Sequence, residues 1–276
     1  MLPARDLIGT HDVLFLTLDT LRYDVACTAL EAGRTPFLAS LLPGGRWEAR
    51  HTPGSFTYAA HHAFFAGFLP TPIPPGKHLR LFSARFAGSE TTGPGTCVFD
   101  APDIVSGLAG QGYHTVCIGG VGFFNKQTPL GSVLPNLFAE SHWNPSLGVT
   151  ARHSTENQVA LALGILERLT PTRRVFLFIN ISALHQPNCL FTPGATVDTP
   201  ETQATALAYV DRCLPPLFAT LQQRGPTLAI VCSDHGTAYG EEGYIGHRVA
   251  HPVVWIVPYA EFILDAATPL SEAPPP

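Results

Sequence analysis

Apolar residues along this chain gather in short unbroken runs, separated by stretches where they recur every third or fourth position. Asp12-Val-Leu-Phe-Leu-Thr-Leu-Asp19, Arg174-Val-Phe-Leu-Phe-Ile-Asn-Ile181 and Thr227-Leu-Ala-Ile-Val-Cys-Ser233 have the length and continuity of strands buried on both faces. Tyr113 to Gly119 and His251 to Val257 read as further strands, the second of them the last of the chain and followed by a short helix. Between them, Thr35 to Leu42 predicts a short helix with Thr35 as cap and Pro36 at its first position. Helices are also expected near Thr57 to Ala66, over Ala101 to Gly110, over His153 to Leu169, and over Pro200 to Gln223 with a bend at Pro215-Pro216. Residues 70–78 and 88–96 read as Gly/Pro-rich loops, and 123–150 as loop-rich with no element assigned. Strands alternating with helices imply a mainly parallel sheet with helices on both faces. With no internal repeat and no linker, residues 1–267 read as a single α/β domain and 268–276 as a Pro-rich tail.

The polar residues at the ends of these runs change the picture. Asp19 closes the first run, His185 follows the third, and Asp234-His235 follows the fourth. In a parallel sheet all of them emerge at one edge, the carboxyl edge where ligands bind in open α/β folds. A carboxylate at the end of a buried strand is costly without a partner, and a cation is the usual one. Each residue also has a bland reading. Asp19 can cap a helix, Asp234-His235-Gly236 can form a turn, and a lone histidine is more often structural. Thr57 stands at the start of a helix, where free N–H groups favour anions, yet threonine is also a routine cap. His61 lies one turn further on the same face. A glycine-broken loop carries Glu241, Glu242, His247 and His251.

Composition narrows the classes. Hydrophobic content of 45% against 13% charged residues supports a sizeable core, and a net charge of −5 argues against a nucleic-acid partner. The N-terminus has no signal-peptide pattern, and no apolar run is long enough for a membrane span. The six cysteines are scattered without a CxxC pair, so a reduced, cytoplasmic location is expected. Gly119-Gly-Val-Gly122 lacks the spacing of a dinucleotide fingerprint.

Taken in order, these motifs resemble the alkaline phosphatase superfamily and its sulfatase-like branch. Val-Leu-Phe-Leu-Thr-Leu-Asp19-Thr-Leu-Arg22-Tyr-Asp24 resembles the first strand and metal carboxylate of that branch. Thr57-x-x-x-His61 with Gly67 and Pro70 is similar to its nucleophile helix, and Tyr209-Val-Asp211 to its long helix. Ser233-Asp234-His235-Gly236 and Gly240-Glu241-x-Gly243-x-x-x-His247 are similar to its second metal motif and the loop after it. The resemblance implies a three-layer α/β/α sandwich. It also shows departures. Sulfatases carry Cys or Ser in Cys-x-Pro-x-Arg, oxidised to formylglycine; here the three positions are Thr57, Ala59 and His61, and threonine cannot give that aldehyde. Two-metal members have an acid where Ala183 stands, before His185. The pattern is similar to one-metal phosphoethanolamine and lipoteichoic-acid transferases, which use a threonine nucleophile.

The resemblance implies one divalent cation, zinc or manganese, on Asp19, Asp234 and His235 with Thr57 as fourth ligand. A weak second site from His185 with His247 or His251 stays open. The cation would lower the pKa of the Thr57 hydroxyl and make it a nucleophile toward a small anionic phosphate ester. His61, His185 and His247 are expected to bind the non-bridging oxygens and protonate the leaving group. Arg22 and Arg248 are either further charge for the substrate or ordinary ion-pair partners. A sulfate-ester hydrolase, a phosphate mutase and a non-catalytic metal-binding protein remain as alternatives.

Overall fold

The computed structural model describes residues 2–67, 80–82, 96–98 and 103–265. The loop expected at 70–78, most of that at 88–96 and the tail from 268 lie outside them. The strands are β1 (Asp12–Leu18), β2 (Glu48–His51), β3 (Arg80–Phe82), β4 (Thr96–Val98), β5 (His114–Ile118), β6 (Glu140–His142), β7 (Val175–Ile181), β8 (Thr227–Cys232), β9 (Ala238–Tyr239), β10 (Ile245–Gly246) and β11 (Ile256–Leu264). The helices are α1 (Ala4–Leu7), α2 (Tyr23–Glu31), α3 (Pro36–Leu41), α4 (Thr57–Ala66), α5 (Ile104–Gly110), α6 (Pro129–Val133), α7 (Ser154–Arg168), α8 (Pro200–Cys213), α9 (Pro215–Arg224) and α10 (Pro252–Trp255).

The large sheet has the order β2-β11-β8-β1-β7-β5-β6. Strands β8, β1, β7, β5 and β6 run parallel, whereas β11 and β2 are antiparallel additions at one side. β1 is central, with Leu16 level with Ile179 on one neighbour and Val231 on the other. All seven residues of β7 are buried, as expected of an inner parallel strand covered on both faces.

Alternation along the strands divides the core. Leu14, Leu16, Leu18, Leu177, Ile179 and Ile181 point to one face, under α2, α7, α8 and α9. Val13, Phe176 and Phe178 point to the other, where they meet Phe65 of α4, Val105, Phe124 and Phe138. Thr17, Asn180 and Asp19 continue this second series toward the carboxyl edge. The apolar stripe therefore turns polar one turn of strand before the chain leaves the sheet, and it does so facing α4. At the opposite edge, buried Asp12 accepts from the Val175 amide at 3.0 Å and pairs with Arg224 at 3.2 Å and Arg174 at 3.3 Å. This carboxylate thus has partners for both oxygens and no room for another.

Two sequence expectations are corrected here. The last strand does not start at His251: Pro252 starts α10, His251 caps it, and the strand begins at Ile256 and runs to Leu264, where a short helix was expected. Pro252 lacks an N–H for a ladder, so the pairing with β8 begins only beyond the helix. Residues 123–150 hold short helical turns, α6 and the edge strand β6, elements too brief to leave a periodicity. The break at Pro215 falls where expected, between α8 and α9.

Candidate metal centre and nucleophile

Asp19, Asp234 and His235 leave the carboxyl ends of adjacent parallel strands β1 and β8, so their side chains converge. One ligand-type atom from each lies within 4.8 Å of the other two, and all three residues are fully buried. Asp19 Oδ2 accepts from Asn180 Nδ2 at 2.9 Å, and Asp234 Oδ1 accepts from the Thr20 amide at 3.1 Å and the His235 amide at 3.0 Å. The other oxygens, Asp19 Oδ1 and Asp234 Oδ2, are buried with no hydrogen-bond partner among the described residues. His235 Nδ1 donates to the Gly236 carbonyl at 2.8 Å, which fixes the tautomer and turns the Nε2 lone pair toward the carboxylates. Two unpaired carboxylate oxygens and a neutral imidazole nitrogen facing one point form a donor set that fits a divalent cation such as zinc or manganese.

The electrostatics agree. Burial raises the Asp19 carboxyl to about 6, helped by the like charge of Asp234, and burial raises Asp234 to about 7. Burial also lowers the His235 imidazole. In the metal-free protein these two carboxyls bind more protons folded than unfolded between the ordinary carboxyl value of 3.8 and about 7, so their own contribution to stability falls as pH rises through that window. A cation must displace those protons. Zinc affinity is accordingly expected to climb with pH through about 6 to 7 and level off above, by competition titration; an affinity flat across about pH 5 to 8 would contradict this.

Thr57 is the first residue of α4, and Phe56 holds the cap position with no side-chain cap bond. The Thr57 hydroxyl donates instead toward Asp19 Oδ2 at 3.5 Å and lies 3.3 Å from His235 Nε2. It belongs to the carboxylate–imidazole cluster, which removes the reading of Thr57 as a cap. A cleft of about 270 Å³ opens on it, lined on the polar side by Thr57, His185 and His247. His185 donates from Nδ1 to the Gln186 carbonyl at 2.6 Å, which leaves Nε2 as the nitrogen open to a ligand. His247 packs against His235, ring centroids 4.7 Å apart, and against His185 at 5.8 Å. Its Nδ1 has no partner among the described residues. Burial, then the neighbouring His235 and His185, hold the His247 ring near 3, so it stays neutral and acts as a hydrogen-bonding group.

Two expectations change, and one alternative closes. His61 does not line the cleft. It is fully buried, donates from Nδ1 to the Thr57 carbonyl at 2.8 Å, meets Thr17 Oγ1 through Nε2 at 3.1 Å, and packs edge-on against Phe64, Phe124 and Phe178. Burial lowers its pKa to about 3. A ring with both nitrogens engaged and no exposure supports the floor of the site and cannot deliver a proton to a leaving group. His251 caps α10 through Nδ1 and faces Glu242, 3.8 Å from Nε2, so that ring is already used. Arg22 is an ion-pair partner: its buried guanidinium joins Asp24 at 2.5 Å and Glu241. Arg248 is exposed, with its amide on the Ser55 carbonyl at 2.8 Å.

Other supporting residues escaped the sequence reading. Thr20 follows Asp19 at φ 63°, a left-handed conformation costly for a β-branched residue, and this aims its amide at Asp234. Gln203 holds the turn by donating to the Thr20 carbonyl at 2.9 Å. Asn180 fixes Asp19 and accepts from the Val121 amide at 3.1 Å. An amide side chain inside the apolar run Phe178-Ile-Asn180-Ile181 was the signal available. Gly120 and Gly236 are demanded by close approach: a Cβ would lie 2.3 Å from the Asn180 carbonyl oxygen and 1.9 Å from that of Val253.

The family model described as Sulfatase matches residues 11–255. The chain belongs to the sulfatase family. The C-terminal periplasmic domain of EptC from Escherichia coli, in complex with zinc, is 12% identical with a TM-score of 0.63, covering 93% of this chain and 73% of that one. The lipoteichoic acid synthase LtaP from Listeria monocytogenes is 12% identical at TM-score 0.63, covering 93% and 66%. A member of the alkaline phosphatase superfamily from Vibrio parahaemolyticus is 18% identical at TM-score 0.59, covering 93% and 61%. At these identities the likeness is one of fold. No curated protein matches the chain by sequence.

Proposed function

We propose that this sulfatase-family chain hydrolyses, or transfers, phosphate mono- or diesters, with Thr57 as the nucleophile. The observation that carries the reading is the position of Thr57 Oγ1, beside Asp19 Oδ2 and His235 Nε2 at the floor of the cleft. Asp19, Asp234 and His235 would hold one divalent cation, with the Thr57 oxygen next to it. Such a cation supplies positive charge that favours the ionised hydroxyl and the phosphoryl oxygens. Thr57 Oγ1 gives its proton to His185 Nε2, directly or through water, and attacks phosphorus; an O–P bond forms and the ester P–O bond breaks. His185 Nε2 gives its proton to the departing alcohol oxygen. The neutral His247 ring offers a hydrogen bond to a phosphoryl oxygen. Water, or a second alcohol, then takes the phosphoryl group from Thr57 and restores the hydroxyl.

Threonine carries an extra methyl that blocks oxidation to an aldehyde, so formylglycine chemistry does not fit this chain. A zinc complex and a lipoteichoic acid synthase among the structural neighbours support metal use and phosphate chemistry. The partner proposed is a small anionic ester. The free thiols Cys27, Cys117, Cys189, Cys213 and Cys232 support a reducing, cytoplasmic location. Zinc- or manganese-loaded protein assayed in parallel on an aryl phosphate, an aryl phosphodiester and an aryl sulfate tests the reading. A phosphate ester is expected to be turned over fastest. Turnover of the sulfate alone would replace this function with a sulfatase, and turnover of none of them would leave a metal-binding protein.

A further inference from the structure

The cleft has two unlike walls. Its ionisable groups and the hydroxyl of Thr57 come from α4 and the loops after β7 and β10: Thr57, His185 and His247; the one hydroxyl on the other side, that of Thr128, is taken up by the Gly131 amide. Its apolar side chains, Val121, Phe123, Leu130 and Val149, all come from the segment between β5 and α7. That segment is held in shape by local bonds. Thr128 caps α6 by accepting from the Gly131 amide at 3.0 Å, the Lys126 amide donates to the Gly131 carbonyl at 3.1 Å, and Lys126 Nζ donates to Ser141 Oγ at 2.9 Å. Phe123 joins the two walls. Its ring lies 6.2 Å from that of Phe56 and 5.7 Å from that of Tyr58, the residues on either side of Thr57. Leu130 is 37% exposed, a large apolar side chain standing in water at the rim. Water against such a wall is released when an apolar ligand covers it.

Resting on the phosphoesterase reading, we infer that the alcohol portion of the substrate carries an alkyl or aryl group that seats on Val121, Phe123, Leu130 and Val149. The ester is amphiphilic: its phosphoryl group lies over Thr57 between the histidines, and its apolar group lies along the second wall. The site then discriminates by chain length and not by leaving-group chemistry.

Methyl phosphate and hexyl phosphate separate the two, because their alcohols have nearly the same acidity and differ in apolar surface. Each methylene buried contributes about 0.8 kcal/mol, or roughly fourfold. With two or three of them covered, kcat/KM for hexyl phosphate is expected to exceed that for methyl phosphate by roughly tenfold or more. Leu130→Asn, at a half-open position that tolerates a polar side chain, should narrow this ratio, and Phe123→Ala should narrow it further. Calorimetry with hexylphosphonate and methylphosphonate on zinc-loaded protein should show the same order of affinity without any turnover. Equal kcat/KM values, or equal phosphonate affinities, would overturn the apolar subsite while leaving the phosphoesterase intact. If neither ester nor an aryl phosphate is turned over, and neither phosphonate binds, the function itself fails and the subsite falls with it.

Discussion

Asp234→Ala, Asp19→Ala and His235→Ala are each expected to purify as folded proteins that hold no metal and have no activity. Each side chain supplies one atom of the converging set, and the two carboxylate oxygens left without a partner have no other role in the fold. Losing one of three protein ligands removes both charge and geometry. The effect on stability should run the other way in metal-free protein. A buried carboxylate whose pKa is raised to about 7 opposes folding once it is ionised, so Asp234→Ala stripped of metal should melt no lower than stripped wild type above that pH. Asn180→Ala, which removes the hydrogen bond to Asp19 Oδ2 together with those to the Val121 amide and Thr17 Oγ1, should weaken metal affinity by roughly 10–100-fold and keep some activity. Elemental analysis beside a melting curve checks all four variants. Metal content equal to wild type in the three ligand variants would remove the assignment.

How much of this was visible in the sequence depended on whether the information was local. Buried strands betray themselves by unbroken apolar runs, so β1, β7 and β8 and the residues at their ends were legible, and the parallel order put Asp19, His185 and Asp234 on one edge. Thr57 was legible as a helix start. Its role was not, since a cap and a nucleophile occupy the same place in a sequence and differ only in what the hydroxyl faces. His61 shows the converse. Its position matched a motif, but Phe124 and Phe178, which close over the ring, come from distant segments, and burial decides whether a histidine titrates. Thr20 was silent because its left-handed backbone is imposed by Gln203 and Leu184, far along the chain. The antiparallel strand β11 was misplaced because Pro252 and the apolar run after it look alike to a periodicity reading. The apolar wall from 121 to 149 was illegible for a related reason: short helical turns carry no repeat.

Thr57→Ala carries the second large effect. If the hydroxyl is the nucleophile, its removal should lower turnover of a phosphate ester by a factor on the order of 10³ or more. The site should otherwise survive. Thr57 occupies the first helical position and caps nothing, so the melting temperature should change little and the metal should stay bound to Asp19, Asp234 and His235. Thr57→Ser keeps the oxygen and should retain part of the activity. This pattern separates a nucleophile from a metal ligand, whose loss would empty the site, and from a packing residue, whose loss would lower stability.

The most direct test looks for the bond itself. Wild-type protein mixed with a phosphate ester, quenched in acid during turnover and digested, should show one added phosphoryl group on the peptide that contains Thr57, absent before substrate and absent in Thr57→Ala. An active wild type that never carries this mass, or a Thr57→Ala variant that turns over at near the wild-type rate, would contradict the account.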